Sequence, residues 1–427
     1  MSMGLVDTVM VGPLGPEAIA ATGLGGGVFT AVAVFGMGLL LGLDALVSQA
    51  FGAGRLSECR RLLYQGLWLS LLLAPCVLGV SALALFTMGT WDLNPEIRVL
   101  AEPYLELVSL GALPLMFYAT LRRYLLGIHR ARPIMIALVS ANLVNAVANY
   151  MLIYGHGGFP ALGVRGAAIA TTLARCYMVG VLWLAVRSVR TENTGQHVSR
   201  ALDLTLIKQL VRLGLPAASQ VTLEVGAFTL ATALAARLDA VSSASHQIAL
   251  NIAGLAYMVP LGLCSAAAVR VGHAVGARDS PRAVRAGWAA IAVGSAAMLA
   301  VGLTMSLAPG PLLRPFTRDP RVIELGSVLL MIAAAFQLFD AIQTVATGAL
   351  RGLGDTVAPM VINLIGHWLL GLPVGYLLCF RFGWGVTGLW VGFSVGLIVA
   401  AIVLLSVWTR QSQRLVTIHH RAQPASV

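Results

Sequence analysis

Apolar runs near or above ~20 residues, the length a helix needs to cross a bilayer, follow one another along almost the whole chain, divided by short segments rich in charge, glycine or proline. The pattern predicts spans at roughly 20–48, 62–88, 100–126, 133–154, 163–186, 207–234, 242–269, 284–308, 322–349, 356–380 and 386–408. These are eleven full spans, and an incomplete one stands at the start, where residues 1–12 are apolar but too short to cross. The fold class expected is all-α and polytopic. A membrane β-barrel would show alternating segments of ~10 residues instead.

The pattern also repeats. A shift of 224 residues sets Leu14 and Gly15 over Leu238 and Asp239, Gly38 over Gly262, and Gly52 and Ala53 over Gly276 and Ala277. A shift of 226 brings Pro133 over Pro359 and Tyr150 over Tyr376, and one of 222 brings GVRG from Gly163 over GVTG from Gly385. Two six-helix bundles follow, and an even number of spans in each makes them parallel repeats about a pseudo-twofold axis along the membrane normal. The expected organisation is a first lobe over 1–190, a linker over 191–206, a second lobe over 207–409 and a tail over 410–427. In this register Val211 to Leu223, ahead of Glu224, have no counterpart before residue 1, so the first helix of the first lobe is expected to be truncated.

Composition agrees, with 58% hydrophobic and only 11% charged residues. A formal net charge of +11 would suit nucleic acid, but its placement argues otherwise. Arg55, Arg60 and Arg61 share one loop, Arg122, Arg123, Arg130 and Arg132 the next, and Arg270, Arg278, Arg282 and Arg285 another, while Glu17, Glu96, Asp239 and Asp319 occupy the loops between. This is the positive-inside distribution. It places the basic loops and the C-terminus in the cytoplasm of a bacterial-type inner membrane, with the lipid bilayer as partner and no nucleic acid. The five cysteines are widely spaced and read as small apolar fillers.

An ionisable residue inside a span is costly and marks a functional site by default. Glu224 lies eight residues past Pro216 in an otherwise apolar run. Asp340 stands between Gln337 and Gln343, three positions to either side, and the spacing is expected to put all three on one helical face. Asp7 belongs to the short first helix, where mid-membrane placement and surface exposure are both open. Asp44 nears the cytoplasmic end of its span, and pairing with a basic residue is the expected role. Arg175 is expected to pair with a cavity acid or with helix carbonyls. Asn142, Asn145 and Asn149 fit a structural ladder or a polar cavity lining. His246, with Gln247 and Asn251 beyond it, fits a hydrogen-bonded core histidine or a titrating group. Gln220, Phe228, Tyr257 and Phe336 are candidates for a pocket that takes flat organic cations, each also open to ordinary packing, and Gly276 closes a Gly-rich basic turn with a structural role. Zinc spacing, a nucleophile motif and a P-loop are absent from the sequence, so an enzyme is not expected, nor a resident cofactor.

The chain resembles a known family through VDTVMVGPLG from Val6, LVSQAFGAG from Leu46, RPIM from Arg132, NYMLIYG from Asn149, LGVRGAAIATTLAR from Leu162, ASHQIALNI from Ala244 and ALRGLGDTVAP from Ala349. The family is that of the multidrug and toxic compound extrusion (MATE) transporters, within the wider oligosaccharide and drug flippase (MOP) superfamily. The resemblance implies twelve helices in two lobes, a monomer, and efflux of amphipathic, often cationic, compounds against inward H+ or Na+. It implies cation coupling at Glu224 and Asp340, with Na+ a possible ligand of both, and proton coupling at Asp7. Where the family often has tyrosine four residues before the acid of the tenth span, this chain has Phe336, which removes a hydroxyl ligand. The rival expectations are a lipid-linked oligosaccharide flippase, which would need a basic cavity, and an intramembrane enzyme or a structural membrane protein.

Overall fold

The computed structural model describes residues 2–91, 94–189 and 198–422. Residues 191–197 of the expected linker and the last residues of the expected tail therefore lie outside the described residues.

Every regular element among the described residues is helical, as hydrocarbon requires of a chain that must satisfy its backbone polar groups within each segment. In chain order these are α1 (Ser2–Val11), α2 (Pro16–Leu39), α3 (Gly42–Gly52), α4 (Leu56–Thr87), α5 (Pro95–Ser109), α6 (Ala112–Gly127), α7 (Arg132–Tyr154) and α8 (Val164–Ser188). They continue with α9 (Leu204–Ala235), α10 (Ala240–Ala256), α11 (Met258–Gly276), α12 (Ser280–Leu307), the short α13 (Pro309–Leu313) and α14 (Pro320–Leu353). A composite span over Val357–Arg381 holds α15 (Val357–Asn363), a π-helical stretch Leu364–Gly371, α16 (Leu372–Tyr376) and a second π-helical stretch Leu377–Arg381, and α17 (Gly385–Ala422) follows.

Among the described residues nine helices are long and apolar enough to cross a membrane, and ten when the bent pair α5 and α6 counts as one. The remaining expected span is α9, 32 residues long, in which Gln220, Thr222 and Glu224 dilute the apolar run. The expected single span over 100–126 is two helices meeting at 46°. Pro114 explains the bend: it has no N–H to give the Leu110 carbonyl, and its ring would collide with that carbonyl in a straight helix.

The outer surface is apolar and the inside holds polar groups. Phe86, Leu143, Leu303 and Leu307 are exposed, whereas Ser70 and Thr120 hydrogen-bond at 2.8 Å in a buried contact that joins α4 to α6. Such interhelical bonds stand in for a hydrophobic driving force that lipid does not supply.

The chain forms two compact units. The first comprises residues 1–43 and 55–218, the second residues 44–54 and 219–427. Residues 44–54 thus pack within the second unit, and residues 207–218, at the start of the expected second lobe, within the first. Asp44 pairs with Arg351 of α14 at 3.6 Å, both side chains buried, and Gln49 donates to the Gly352 carbonyl at 2.9 Å. Gly52 lies against the backbone of His273, and Gly276 against the backbone of Gln49. A Cβ at either glycine would collide with that backbone, so only glycine fits. Under the 224-residue shift Gln49 corresponds to His273 and Gly52 to Gly276, so the contact is reciprocal between repeats.

Candidate functional site

The second unit gathers its chemistry around α9. This helix continues through Pro216, and Glu224 follows two turns later. Tyr257, at the joint of α10 and α11, donates its hydroxyl to Glu224 Oε1 at 3.3 Å. Asp340 of α14 is 8% exposed and interacts electrostatically with Glu224. Neither carboxylate forms a salt bridge among the described residues.

Aromatic rings gather along α9 next to Glu224. Phe228 stacks on Phe393 of α17 with centroids 5.3 Å apart and planes 9° from parallel. Trp368 donates its indole N–H to the Leu223 carbonyl at 3.0 Å and so ties the π-helical stretch to α9. His367 lies 6.2 Å from Phe228, ring to ring.

Polar residues of α14 diverge from this centre. Gln337 turns to Met305 Sδ of α12 at 3.8 Å, and Gln343 donates to Asn363 Oδ1 of α15 at 2.7 Å. The expected single face is therefore corrected. Each step of three falls about 60° short of a full turn at 3.6 residues per turn, so Gln337 and Gln343 flank Asp340 on diverging sides.

The first unit holds a second centre. Asp7 is 4% exposed and accepts from Asn149 Nδ2 at 2.7 Å, Asn145 Nδ2 at 3.1 Å and Thr171 Oγ1 at 2.5 Å. Of the two readings open for Asp7, burial is the one the structure displays. Tyr154 donates to the Met10 carbonyl at 2.6 Å and fastens α1 to α7. Arg175 interacts electrostatically with Asp7, donates to the Val108 carbonyl at 3.1 Å, and stands 4.5 Å over the Phe29 ring. Asn142 does not join its two companions. It lies about 10 Å along the axis from Asn149 at 1.5 Å per residue, and its amide donates to its own helix at Leu138.

His246 is satisfied on both ring nitrogens. Trp390 donates to Nδ1 at 3.1 Å, and Nε2 meets the Thr232 hydroxyl at 3.1 Å, which is the environment of a hydrogen-bonded core histidine. Gln247 and Asn251 on the same helix are exposed. Phe336 packs on Trp390 at 5.9 Å within an apolar cluster, and Gln220 is buried one turn before Glu224. Sequence reasoning passed over Thr171, Asn363, His367 and Trp368. His367 carried a signal, an ionisable group inside the apolar span 356–380; the other three are unremarkable without their neighbours.

Each unit buries a polar centre among membrane-length helices, the build of a polytopic membrane transporter. The sequence model of the MatE family matches residues 1–151 and 216–377. The chain is 37% identical over 426 residues to the probable multidrug resistance protein NorM of Mesorhizobium japonicum, covering 96% of this chain and 90% of that one. It is 35% identical over 423 residues to the probable NorM of Bradyrhizobium diazoefficiens, covering 97% and 91%. A crystal structure of MATE in the bent conformation superposes with a TM-score of 0.87 at 23% identity, covering 98% of this chain and 92% of that one. The eukaryotic MATE transporter AtDTX14 does so with 0.84 at 22%, covering 98% and 94%. The chain belongs to the MatE family of secondary transporters, and its work is transport and not catalysis.

Proposed function

We propose that the protein is an antiporter of the inner membrane that expels amphipathic organic cations in exchange for inward protons, its basic loops and C-terminus facing the cytoplasm. The observation that carries this reading is the pair Glu224 and Asp340, two neighbouring carboxylates inside spans, neither of which forms a salt bridge among the described residues. Two neighbouring carboxylates attract a cation, and a proton and an organic cation compete for them. The stacked Phe228 and Phe393 and the nearby Trp368 supply flat apolar surface beside the charge, the combination that suits an amphipathic cation. Relatives named as multidrug resistance proteins support the same substrate class.

Asp7 is the coupling group of the first lobe in this scheme. As an ionised acceptor it takes three hydrogen bonds from α7 and α8. A proton on Oδ2 makes that oxygen a donor and reverses the bond with the Thr171 hydroxyl, which then accepts, while a proton on Oδ1 competes with the two asparagine amides; either changes how α1 is held. The two lobes are the moving bodies of the cycle, with residues 44–54 travelling with the second and residues 207–218 with the first. Binding of proton and drug at one pair is reciprocally unfavourable, so each drives release of the other.

The test is efflux of a fluorescent organic cation from proteoliposomes under separately imposed pH and Na+ gradients. Glu224→Gln and Asp340→Asn are expected to lower pH-driven efflux at least ~10-fold, the loss of about 1.4 kcal/mol of coupling, with the protein still folded. Undiminished pH-driven efflux in both variants removes the assignment.

A further inference from the structure

The segment that leads into α9 is fastened. Residues 200–203 form no regular element, so their backbone polar groups must find partners elsewhere, and α4 supplies them. Trp68 donates its indole N–H to the Arg200 carbonyl at 2.9 Å. Gln65 donates to the Ala201 carbonyl at 2.8 Å and accepts the Asp203 N–H at 2.9 Å. Arg61 pairs with the Asp203 carboxylate, and the Arg200 guanidinium stands 5.6 Å over the Tyr64 ring. Arg61, Gln65 and Trp68 follow one another at i, i+4 and i+7, a single stripe of α4, and the segment runs along it from Trp68 to Arg61, antiparallel to the helix.

The match is specific to main chain. Gln65 is 0% exposed, and its amide offers one donor and one acceptor to a carbonyl and an N–H two residues apart, so the segment both covers the amide and satisfies it. Asp203 then has a second task. Its carboxylate accepts the N–H groups of Thr205 and Leu206 at 2.9 and 3.3 Å and so caps α9, which ties the first turn of that helix directly to α4. Further along, Gly42 lies against the Leu210 carbonyl and Gly214 against the Leu39 carbonyl, so the front of α9 is also seated on the end of α2. All of these groups belong to the first unit, although residues 207–218 open the second lobe in sequence.

We propose that α4 and residues 200–203 form a latch that stays closed through the transport cycle, keeps residues 204–218 on the first unit, and is required for efficient transport. An amide and an indole read the main chain, and one ion pair and one cation–π contact reinforce them. No covalent or proton-transfer step is involved.

Trypsin reads the latch directly, because it cuts after arginine and the Arg200–Ala201 bond lies between the two carbonyls that Trp68 and Gln65 hold. Cleavage at that bond, followed by mass spectrometry on the purified protein in detergent, is expected to be at least ~10-fold faster in Gln65→Leu and in Trp68→Phe, since cleavage tracks the population of the open form. Efflux of a fluorescent organic cation from proteoliposomes is expected to fall in both variants. In the wild type, adding that cation is expected to leave cleavage unchanged. A linked form supplies the converse: Trp68→Cys and Arg200→Cys, joined by a short thiol-specific reagent with the exposed native thiols removed as Cys76→Ala and Cys176→Ala, is expected to transport as well as the same protein unlinked. Loss of efflux on linking means that the latch must open and overturns the proposal, as does wild-type cleavage that rises with the cation. Cleavage no faster in the variants, or faster cleavage with undiminished efflux, overturns it equally. Trp68 is 38% exposed, so Trp68→Phe decides the matter if Gln65→Leu does not fold. A wild type that carries no organic cation instead overturns the antiport reading, and cleavage in the variants still decides the latch.

Discussion

Asp44, Asp7 and Asp340 are exposed by only 1%, 4% and 8%, yet each meets a different environment. Asp44 has a guanidinium, Asp7 has neutral donors, and Asp340 has another carboxylate near it. Removing a partner therefore has different results. Arg351→Met strips the charge from a buried pair and is expected to cost about 3–5 kcal/mol, read as a lower thermal unfolding midpoint with little expression at 37 °C. Thr171→Val removes one hydrogen bond to a charged group, about 1.5–3 kcal/mol, and is expected to depress efflux several-fold. Asn142→Ala is expected to change neither stability nor efflux, a contrast that checks the geometry around Asp7. The acids stood out in the sequence because charge interrupts an apolar run. The spacing of Asn145 and Asn149 marked them as polar but not as partners of Asp7, and Thr171, 164 positions from Asp7, carries no local pattern.

Short acids open three of the helices. Asp239, Asp279 and Asp319 each accept a backbone N–H as the N-cap of α10, α12 and α14, the usual task of a short acid ahead of a helix. The Ser242 side chain, then its backbone N–H, hold the Asp239 carboxyl below its ordinary 3.8; the Arg321 side chain, then its backbone N–H, do the same for Asp319. A lowered folded-state value means the stabilisation is present above the ordinary value and is lost as pH falls through the lowered one. Asp239→Ala is accordingly expected to reduce the thermal midpoint at neutral pH, and the difference from wild type to vanish well below pH 3.8. Unfolding followed by tryptophan fluorescence across pH checks it. The bend before Pro114 and the π-helical stretches escaped the hydrophobic pattern, since hydropathy reports that a segment crosses and not how its backbone winds. A periodicity of three was also overread at Gln337, Asp340 and Gln343, where the shortfall from 3.6 accumulates.

At the scale of the molecule the repeat was visible as scattered glycines, and the structure supplies their purpose at Gly52 and Gly276. Because each occupies the same place against the other's repeat, Gly52→Val and Gly276→Val are expected to destabilise the protein to a similar degree, by 1–3 kcal/mol or more for overpacking; a large inequality between their unfolding midpoints would contradict the reciprocity. The interleaving of the two units was not legible, since α3 and the front of α9 look in sequence like members of their own halves.

That interleaving bears on biosynthesis. Asp44 is made 307 residues before Arg351, and at ~5–20 residues per second a ribosome needs roughly 15–60 s to cover that distance. For that interval the acid has been delivered to the membrane ahead of its arginine, and the first unit likewise waits for residues 204–218 before it is whole. Neither unit closes as its own half of the chain emerges; the nascent protein completes both from segments supplied late.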